Sequence, residues 1–121
     1  MYYDSLLLDY YRPFWNMGIP VDFVTAEEDL NRYDLVLAPM LMMVSDEGKK
    51  NIETYAQAGG KVLFSFRSGI KDMYNNMLTE TVPGVFADLA GVEVEDYDPL
   101  LEKQLLRQVC LEMEWLTCGV I

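Results

Sequence analysis

The sequence predicts a three-layer α/β/α sandwich built on a mainly parallel sheet. Two apolar runs without alternation, at residues 35–38 and 62–66, are typical of strands covered on both faces, as parallel strands are. A segment with helical spacing separates them, so that strand and helix follow one another along the chain. The 121 residues are enough for one core, and we expect a single domain over residues 1–121.

The first predicted helix covers residues 4–17. Pro13 lies inside it and is expected to kink or end the helix, and Gly18 is expected to stop it. The sequence IPVDFV then predicts a short strand over residues 21–24. Large apolar side chains recur at helical spacing on one face of the helix: Leu6, Leu7, Tyr10, Tyr11, Phe14 and Trp15.

The second predicted helix begins at Ser45, a suitable N-cap residue followed by acidic residues in the first turn. Its inner face is formed by Ile52, Tyr55 and Ala56, and the Gly59-Gly60 pair ends it in the left-handed conformation. A short helix is expected after Pro83, with Val85, Phe86, Leu89 and Ala90 facing inward and Gly91 closing it.

The acidic sequence VEVEDY, residues 92–97, predicts a fourth strand near an edge of the sheet. Beyond residue 100 two interpretations remain open. The apolar residues fit a helix over residues 105–113, and alternation over residues 109–115 fits a strand, which we favour.

Charge and composition exclude several classes of function. The net charge of −11 disfavours binding to nucleic acids or to anionic membrane surfaces. No apolar run reaches the length of a membrane span, and the early run SLLLDYY is too short and too acidic for a signal-peptide core. Cys110 and Cys118 are read as a reduced pair, which favours a cytoplasmic location. The absence of histidine excludes Ser-His and Cys-His catalysis and histidine metal sites.

The turn after the third predicted strand places Ser68 where α/β enzymes often carry a nucleophile. A nucleophile elbow needs small residues on both sides, and only Gly69 meets that need here. We therefore predict a structural turn in which Gly69 takes a positive φ and the Ser68 hydroxyl caps a backbone amide. Arg67, at the end of the same strand, is expected either to hold an anion or a partner's carboxylate, or to pair with an internal acid.

Motifs for cofactors and metals are not found. The glycine patterns of dinucleotide and nucleotide loops do not occur, so we predict no cofactor and no catalytic residue. The acidic residues at 27–29 and 93–98 are interpreted as a solvated acidic face rather than as a metal site or a glycosidase pair. The sequence PMLMMV, residues 39–44, is either an exposed interaction surface or ordinary core.

Four segments in order, DYYRPFWNMGIPVDFV, DLNRYDLVLAPMLMMVSDE, YAQAGGKVLFSFRSGIKD and PGVFADLAGVEVEDYDPL, resemble the middle domain of glycoside hydrolase family 42 β-galactosidases over residues 4–100. The resemblance implies a flavodoxin-like, class I glutamine amidotransferase-like fold and a role in trimerisation. It places the catalytic glutamates on a preceding TIM barrel outside this chain. The amidotransferase likeness implies a cysteine after the third strand, but this chain has Arg67 and Ser68 there.

The resemblance also implies one more strand before the first helix, where only residues 1–3 stand here. Unpaired backbone groups left by that strand would invite another chain, so we expect self-association, a homo-oligomer and, from the family, a trimer. The expected function is a non-catalytic oligomerisation domain. The alternative is a small amidotransferase-like enzyme or ligand-binding domain that uses the strand ends. The candidate interface residues are Met40, Met42, Met43, Arg67 and Tyr74.

Overall fold

The computed structural model describes residues 3–79 and 82–95. The predicted strand at residues 109–115 and the two cysteines lie outside that part of the chain. In the described part, a small α/β arrangement runs through these elements in order: helix α1 (Tyr3–Asn16), strand β1 (Leu35–Ala38), helix α2 (Asp46–Gln57), strand β2 (Lys61–Phe64), a 3₁₀ turn (Gly84–Phe86) and helix α3 (Ala87–Ala90).

The two strands form a parallel sheet. Leu35 lies opposite Lys61, and the register continues to Ala38 opposite Phe64. Helix α2 provides the crossover that parallel neighbours require, so β1, α2 and β2 make one β-α-β unit. The mainly parallel sheet predicted from the two apolar runs is therefore confirmed for these two strands.

Helix α2 begins where the sequence predicts. The hydroxyl oxygen of Ser45 accepts a 3.0 Å hydrogen bond from the backbone N–H of Gly48, as an N-cap does. Ile52 and Tyr55 are buried on its inner face, and Gly59 follows its C-terminal end with φ of 94°. The predicted start, inner face and end of this helix are confirmed.

Helix α1 contains Pro13 and ends soon after it, close to the predicted end. The helix continues through Pro13 to Asn16, and Gly18 follows with φ of 70°. Proline removes the hydrogen bond to the carbonyl of Asp9, but Asp9 is exposed and water can satisfy that group. No residue of α1 is buried, and Trp15 on the predicted inner face is 67% exposed. This helix therefore lies on the rest of the protein without burying any of its residues.

Two predicted strands are not part of a sheet. Residues 21–24 form neither helix nor strand, and of residues 92–95 Val94 makes one isolated antiparallel bridge to Val82. The remaining residues of that prediction, 96 and 97, lie outside the described part. A strand exists only when a neighbour pairs with its backbone, and neither segment pairs with β1 or β2.

The core lies between the sheet, α2 and the turn before α3. Its buried members are Leu30, Ile52, Tyr55 and Phe86. The ring of Phe86, which is fully buried, stacks on Phe64 with centroids 4.5 Å apart. The predicted short helix after Pro83 is confirmed as the 3₁₀ turn and α3, which Gly91 closes with φ of 66°. Ala90, predicted to face inward, is exposed.

Candidate interface at the strand ends

Two serine hydroxyls join the carboxyl ends of β1 and β2. Oγ of Ser65 accepts a 2.6 Å hydrogen bond from the backbone N–H of Met40, and Ser65 N–H donates to the Ala38 carbonyl at 3.3 Å. Oγ of Ser68 lies 2.9 Å from the Ser65 carbonyl and 3.5 Å from that of Ala38. Both serines are buried, so these contacts hold the strand ends together away from water.

The Ser68 turn is structural, but its hydrogen bonding differs from the prediction. The hydroxyl donates to carbonyl oxygens instead of capping an amide. Ser68 is fully buried. Gly69 takes φ of 67°, as predicted. A buried hydroxyl that is already engaged is poorly placed to attack a substrate.

Gly69, in the turn after β2, is hydrogen-bonded to two other segments of the chain. The N–H of Gly69 donates to the Leu41 carbonyl at 2.8 Å, and the Gly69 carbonyl accepts from Val85 N–H at 3.3 Å. A Cβ on Gly69 would lie 2.5 Å from the Pro83 carbonyl oxygen, and a Cβ on Gly84 would overlap the Gly69 carbonyl. This close approach of two backbones requires glycine at both positions.

Lys71, two residues after Gly69, forms β-bridges to two other residues, and we call this arrangement the ladder. It bridges Met43 in parallel and Met77 in antiparallel fashion, and its N–H donates to the Met42 carbonyl at 3.0 Å. Directly bridged residues place their side chains on the same side of a sheet. Met43, Lys71 and Met77 therefore project from one surface, with Met43 42% exposed and Met77 63% exposed.

A tight turn at residues 72–76 presents Tyr74 beside this ladder. The Asp72 carboxylate accepts hydrogen bonds from the N–H groups of Tyr74, at 2.9 Å, and Asn76, at 2.8 Å, and from the Asn76 side chain at 3.0 Å. These donors, the Asn76 side chain first, hold the pKa of Asp72 below its ordinary value of 3.8. Tyr74 stands 87% exposed at the tip of the turn.

We call the exposed set on the ladder and its turn the methionine face. It consists of Met43, Met73, Tyr74 and Met77. Single exposed apolar side chains are ordinary on protein surfaces, but four within one ladder and turn form a patch. Methionine is also well suited to adaptable contacts, because its side chain is flexible and polarisable.

The structure brings together two of the five predicted interface residues. Met43 and Tyr74 belong to the methionine face, whereas Met40 and Met42 are half-buried. Arg67 is exposed with φ of 58° and forms no ion pair within the described residues. The segment PMLMMV is thus divided, because Leu41 and Val44 pack against the core while Met43 is exposed.

The sequence did not predict Met73 and Met77 as interface residues. They lie in the segment 70–82, for which the sequence predicts neither a helix nor a strand. No periodicity marks them, since their grouping with Met43 depends on two bridges made by Lys71, one of them to a segment far away in the sequence. The signal that could have found them is the recurrence of Met and Tyr within a few residues of Lys71.

The acids at positions 27–29 form local hydrogen bonds at the surface. The Ser45 hydroxyl donates a hydrogen bond to the Glu27 carboxylate, which lowers the pKa of Glu27 below 4.5. The backbone and side-chain N–H groups of Asn31 donate to the Asp29 carboxylate and lower its pKa below 3.8. Residues 93 and 95 are exposed, and residues 96 and 98 lie outside the described part. Within residues 3–79 and 82–95, no three side chains of the metal-binding types lie close enough to hold an ion.

Comparison with known proteins decides the family. The model of the β-galactosidase trimerisation domain matches residues 1–117. The chain belongs to this family. The trimerisation domain is also similar to curated enzymes, with 35% identity over 106 residues to β-galactosidase LacA of Lactobacillus acidophilus and 37% over 98 residues to BgaH of Haloferax lucentense. It covers 88% and 81% of its own length in these matches, but 16% and 15% of theirs.

Solved structures agree with this assignment. The trimerisation domain superimposes on a β-galactosidase from Rahnella sp. R3 with a TM-score of 0.80 and 36% identity. It superimposes on the Bacillus circulans sp. alkalophilus enzyme with a TM-score of 0.81 and 28% identity. Each match covers 86% of this chain and 15% of the other. Most of each relative therefore lies outside the match, as the resemblance to a middle domain implies.

Among residues 3–79 and 82–95, none of the helices has both the length and the apolar character needed to cross a membrane.

Proposed function

We propose that this trimerisation domain joins copies of its own chain through the methionine face, and that it carries no catalytic step itself. The observation that supports this most directly is the exposed Met43 and Met77 pair on either side of Lys71. The backbone that carries these side chains is held by a hydrogen-bonded ladder, so little backbone freedom is lost when a neighbour covers them. Of the other predicted contact residues, Met42 accepts the Lys71 N–H through its carbonyl, Met40 donates its N–H to Ser65 Oγ, and Arg67 is exposed.

The strand ends support an assembly role more than the amidotransferase-like or ligand-binding alternative. Ser65 and Ser68, the hydroxyls nearest the strand ends, are both buried and hydrogen-bonded. Neither can be activated by a histidine base, since the chain has no histidine. In the parent enzyme, assembly through this domain would bring catalytic parts of different subunits together.

The finer fold assignment and the cellular setting belong to the same proposal. The parallel β1-α2-β2 unit and the turn after β2 fit a flavodoxin-like, amidotransferase-like three-layer sandwich. A cytoplasmic location fits the interpretation of the two cysteines as reduced. The net charge of −11 argues against nucleic acid and anionic membranes as partners.

Sedimentation velocity over a concentration series tests the proposal. We expect the full chain to self-associate at tens of micromolar, and more strongly at high salt, because salt screens repulsion between chains of charge −11. The double variant Met43→Gln/Met77→Gln should weaken association at least tenfold, since polar amides replace apolar side chains at the contact.

Met17→Gln is the matched control, because Met17 is also 63% exposed but follows α1. It should leave association within twofold of the parent chain. A chain that stays monomeric throughout, or an equal loss in the control variant, would contradict the proposal.

A further inference from the structure

Arg67 lies in the turn after β2, and its backbone has a φ of 58°, a left-handed conformation that residues other than glycine rarely adopt. Its side chain is exposed, although Ser68, Gly69 and Ile70 directly after it are buried. We propose that Arg67 binds a carboxylate group of a second copy of this chain. The proposed pair rests on the assembly through the methionine face and adds a charged contact to it.

The backbone conformation of Arg67 costs free energy that a glycine would not. Residues strained in this way persist where surrounding contacts fix the chain, and they are found preferentially at functional sites. Such contacts lie on both sides of Arg67. The N–H of Ser65 donates to the Ala38 carbonyl at 3.3 Å, and the N–H of Gly69 donates to the Leu41 carbonyl at 2.8 Å. The turn is therefore fixed at both ends while its arginine is presented to the outside.

The guanidinium of Arg67 forms no ion pair with an acid among residues 3–79 and 82–95. The other arginines of that part differ, since Arg12 lies 3.9 Å from the Asp9 carboxylate and Arg32 donates to the Tyr33 hydroxyl at 2.8 Å. A guanidinium presents two parallel N–H groups that match the two oxygens of a carboxylate. Arg67 is thus placed to form such a pair with a group outside the described part of its own chain.

A second copy of this chain can supply the carboxylate. The sequence has 20 acidic and 9 basic residues, so the protein presents acids in excess and repels small free anions. The Ser68 hydroxyl, next to Arg67 in the chain, is buried and donates to the Ser65 carbonyl, so it adds no donor for a free anion. Once the methionine face holds a second copy, the carboxylates of that copy are present at high effective concentration.

The backbone of Arg67 is continuous with the backbone of the methionine face. Arg67 precedes Lys71 of the ladder by four positions. The residues between them are buried, and the N–H groups of Gly69 and Lys71 donate to carbonyls of the segment after β1 at 2.8 and 3.0 Å. A copy that covers the methionine face is therefore held at a fixed position relative to Arg67.

Sedimentation velocity of two matched variants of the full chain tests the ion pair. Arg67→Gln should weaken self-association at least tenfold at low salt, because the carboxylate loses its bidentate partner. Arg12→Gln removes the same single positive charge from an exposed side chain, and it should change association less than twofold. Because salt screens an ion pair, the gap between the two variants should narrow at high salt.

Arg67→Gly separates binding from folding. Glycine adopts the left-handed conformation without strain, so the melting temperature of the dilute chain should be at least that of the parent. Self-association should nevertheless fall at least tenfold, since the guanidinium is gone. A residue that only maintains the fold would give the opposite result, a lower melting temperature with unchanged association.

Calorimetric titration of the dilute parent chain with inorganic phosphate distinguishes a carboxylate of another copy from a free anion. We expect no saturable binding at millimolar phosphate. Saturable binding that Arg67→Gln abolishes would overturn the proposal, because Arg67 would then hold a small anion.

Two further results would overturn it. They are equal association of the Arg67→Gln and Arg12→Gln variants, and a lower melting temperature of Arg67→Gly, which would show that Arg67 pairs within its own chain. If Met43→Gln/Met77→Gln weakens association and Arg67→Gln does not, the ion pair is wrong and the methionine face stands. A parent chain that stays monomeric would contradict both.

Discussion

The backbone amide of Met40 donates a 2.6 Å hydrogen bond to the side-chain hydroxyl of Ser65, 25 positions along the chain. Met40 has a φ of 50°, a backbone conformation that residues other than glycine rarely adopt. The contact ties the turn after β1 to the end of β2, and the chain reaches Met43 and the ladder directly from that turn. The position of the methionine face therefore depends on a buried serine.

Ser65→Ala is expected to lower the free energy of unfolding by about 1 to 3 kcal/mol, because a half-buried amide loses its partner. Urea denaturation followed by circular dichroism measures the change. Ser5→Ala, at an exposed position of α1, should change stability by less than about 0.5 kcal/mol. Equal stability of the Ser65 variant and the parent chain would show that the hydroxyl does not hold the turn.

Gly84→Ala tests the close approach of Gly84 to Gly69. Both Gly84 and Gly91 have positive φ, but an added Cβ on Gly91 meets no atom within 4 Å. Gly91→Ala should therefore cost about 1 to 2 kcal/mol for the backbone conformation alone. Gly84→Ala should cost on the order of 3 kcal/mol or more, since the Gly69 carbonyl must also move. Thermal unfolding of both variants checks this order, and similar melting temperatures would contradict it.

Ser45→Ala should affect α2 and Glu27 together. Loss of the N-cap is expected to cost about 0.5 to 2 kcal/mol of stability. The pKa of Glu27 should rise toward 4.5, because the hydroxyl that stabilises its charged form is gone. NMR titration of the Glu27 carboxyl and urea denaturation measure the two effects. Ser45→Thr keeps a hydroxyl and should retain both the cap and the lowered Glu27 pKa. An unchanged Glu27 pKa in the alanine variant would refute the link between the Ser45 hydroxyl and Glu27.

Asp72 is expected to make the turn that carries Tyr74 sensitive to acid. Its pKa is lower in the folded turn than the ordinary 3.8, so the charged carboxylate favours the folded turn. The stabilisation that the charged carboxylate gives the turn is complete above pH 3.8. It is lost as the pH falls through the lowered pKa of Asp72 in the folded turn. NMR shifts of the Tyr74 and Asn76 amides should therefore titrate with a midpoint below 3.8.

Asp72→Asn is the control for this titration. Asparagine keeps an oxygen that can accept from the Tyr74 and Asn76 amides but does not ionise, so these shifts should no longer follow pH in this range. A midpoint at or above 3.8 in the parent chain, or the same titration in the variant, would show that Asp72 does not control the turn.

Local signals in the sequence were sufficient for much of the fold. The Ser45 cap, the Ile52 and Tyr55 face, and the left-handed Gly69 each depend on a few neighbouring residues, so periodicity and backbone chemistry predict them. The family could also be predicted, since four segments in order carry the resemblance and the family model matches residues 1–117.

Pairing across long sequence separations could not be predicted in this way. Residues 21–24 have the composition of a strand, but without a neighbour to bond their backbone they form none. Exposure of a methionine depends in the same way on what the rest of the chain places over it.

By itself, then, the sequence determined the helices and the glycine turns, because each follows from short-range order along the backbone. It also marked the two apolar segments that pair as β1 and β2, and four segments in order carried the family. Only the tertiary structure decided that Met43 and Met77 flank Lys71, that Ser65 holds Met40, and that Arg67 has no ion-pair partner among the described residues. The physical reason is that each of these features is a contact, or a missing contact, between segments that meet only when the chain has folded.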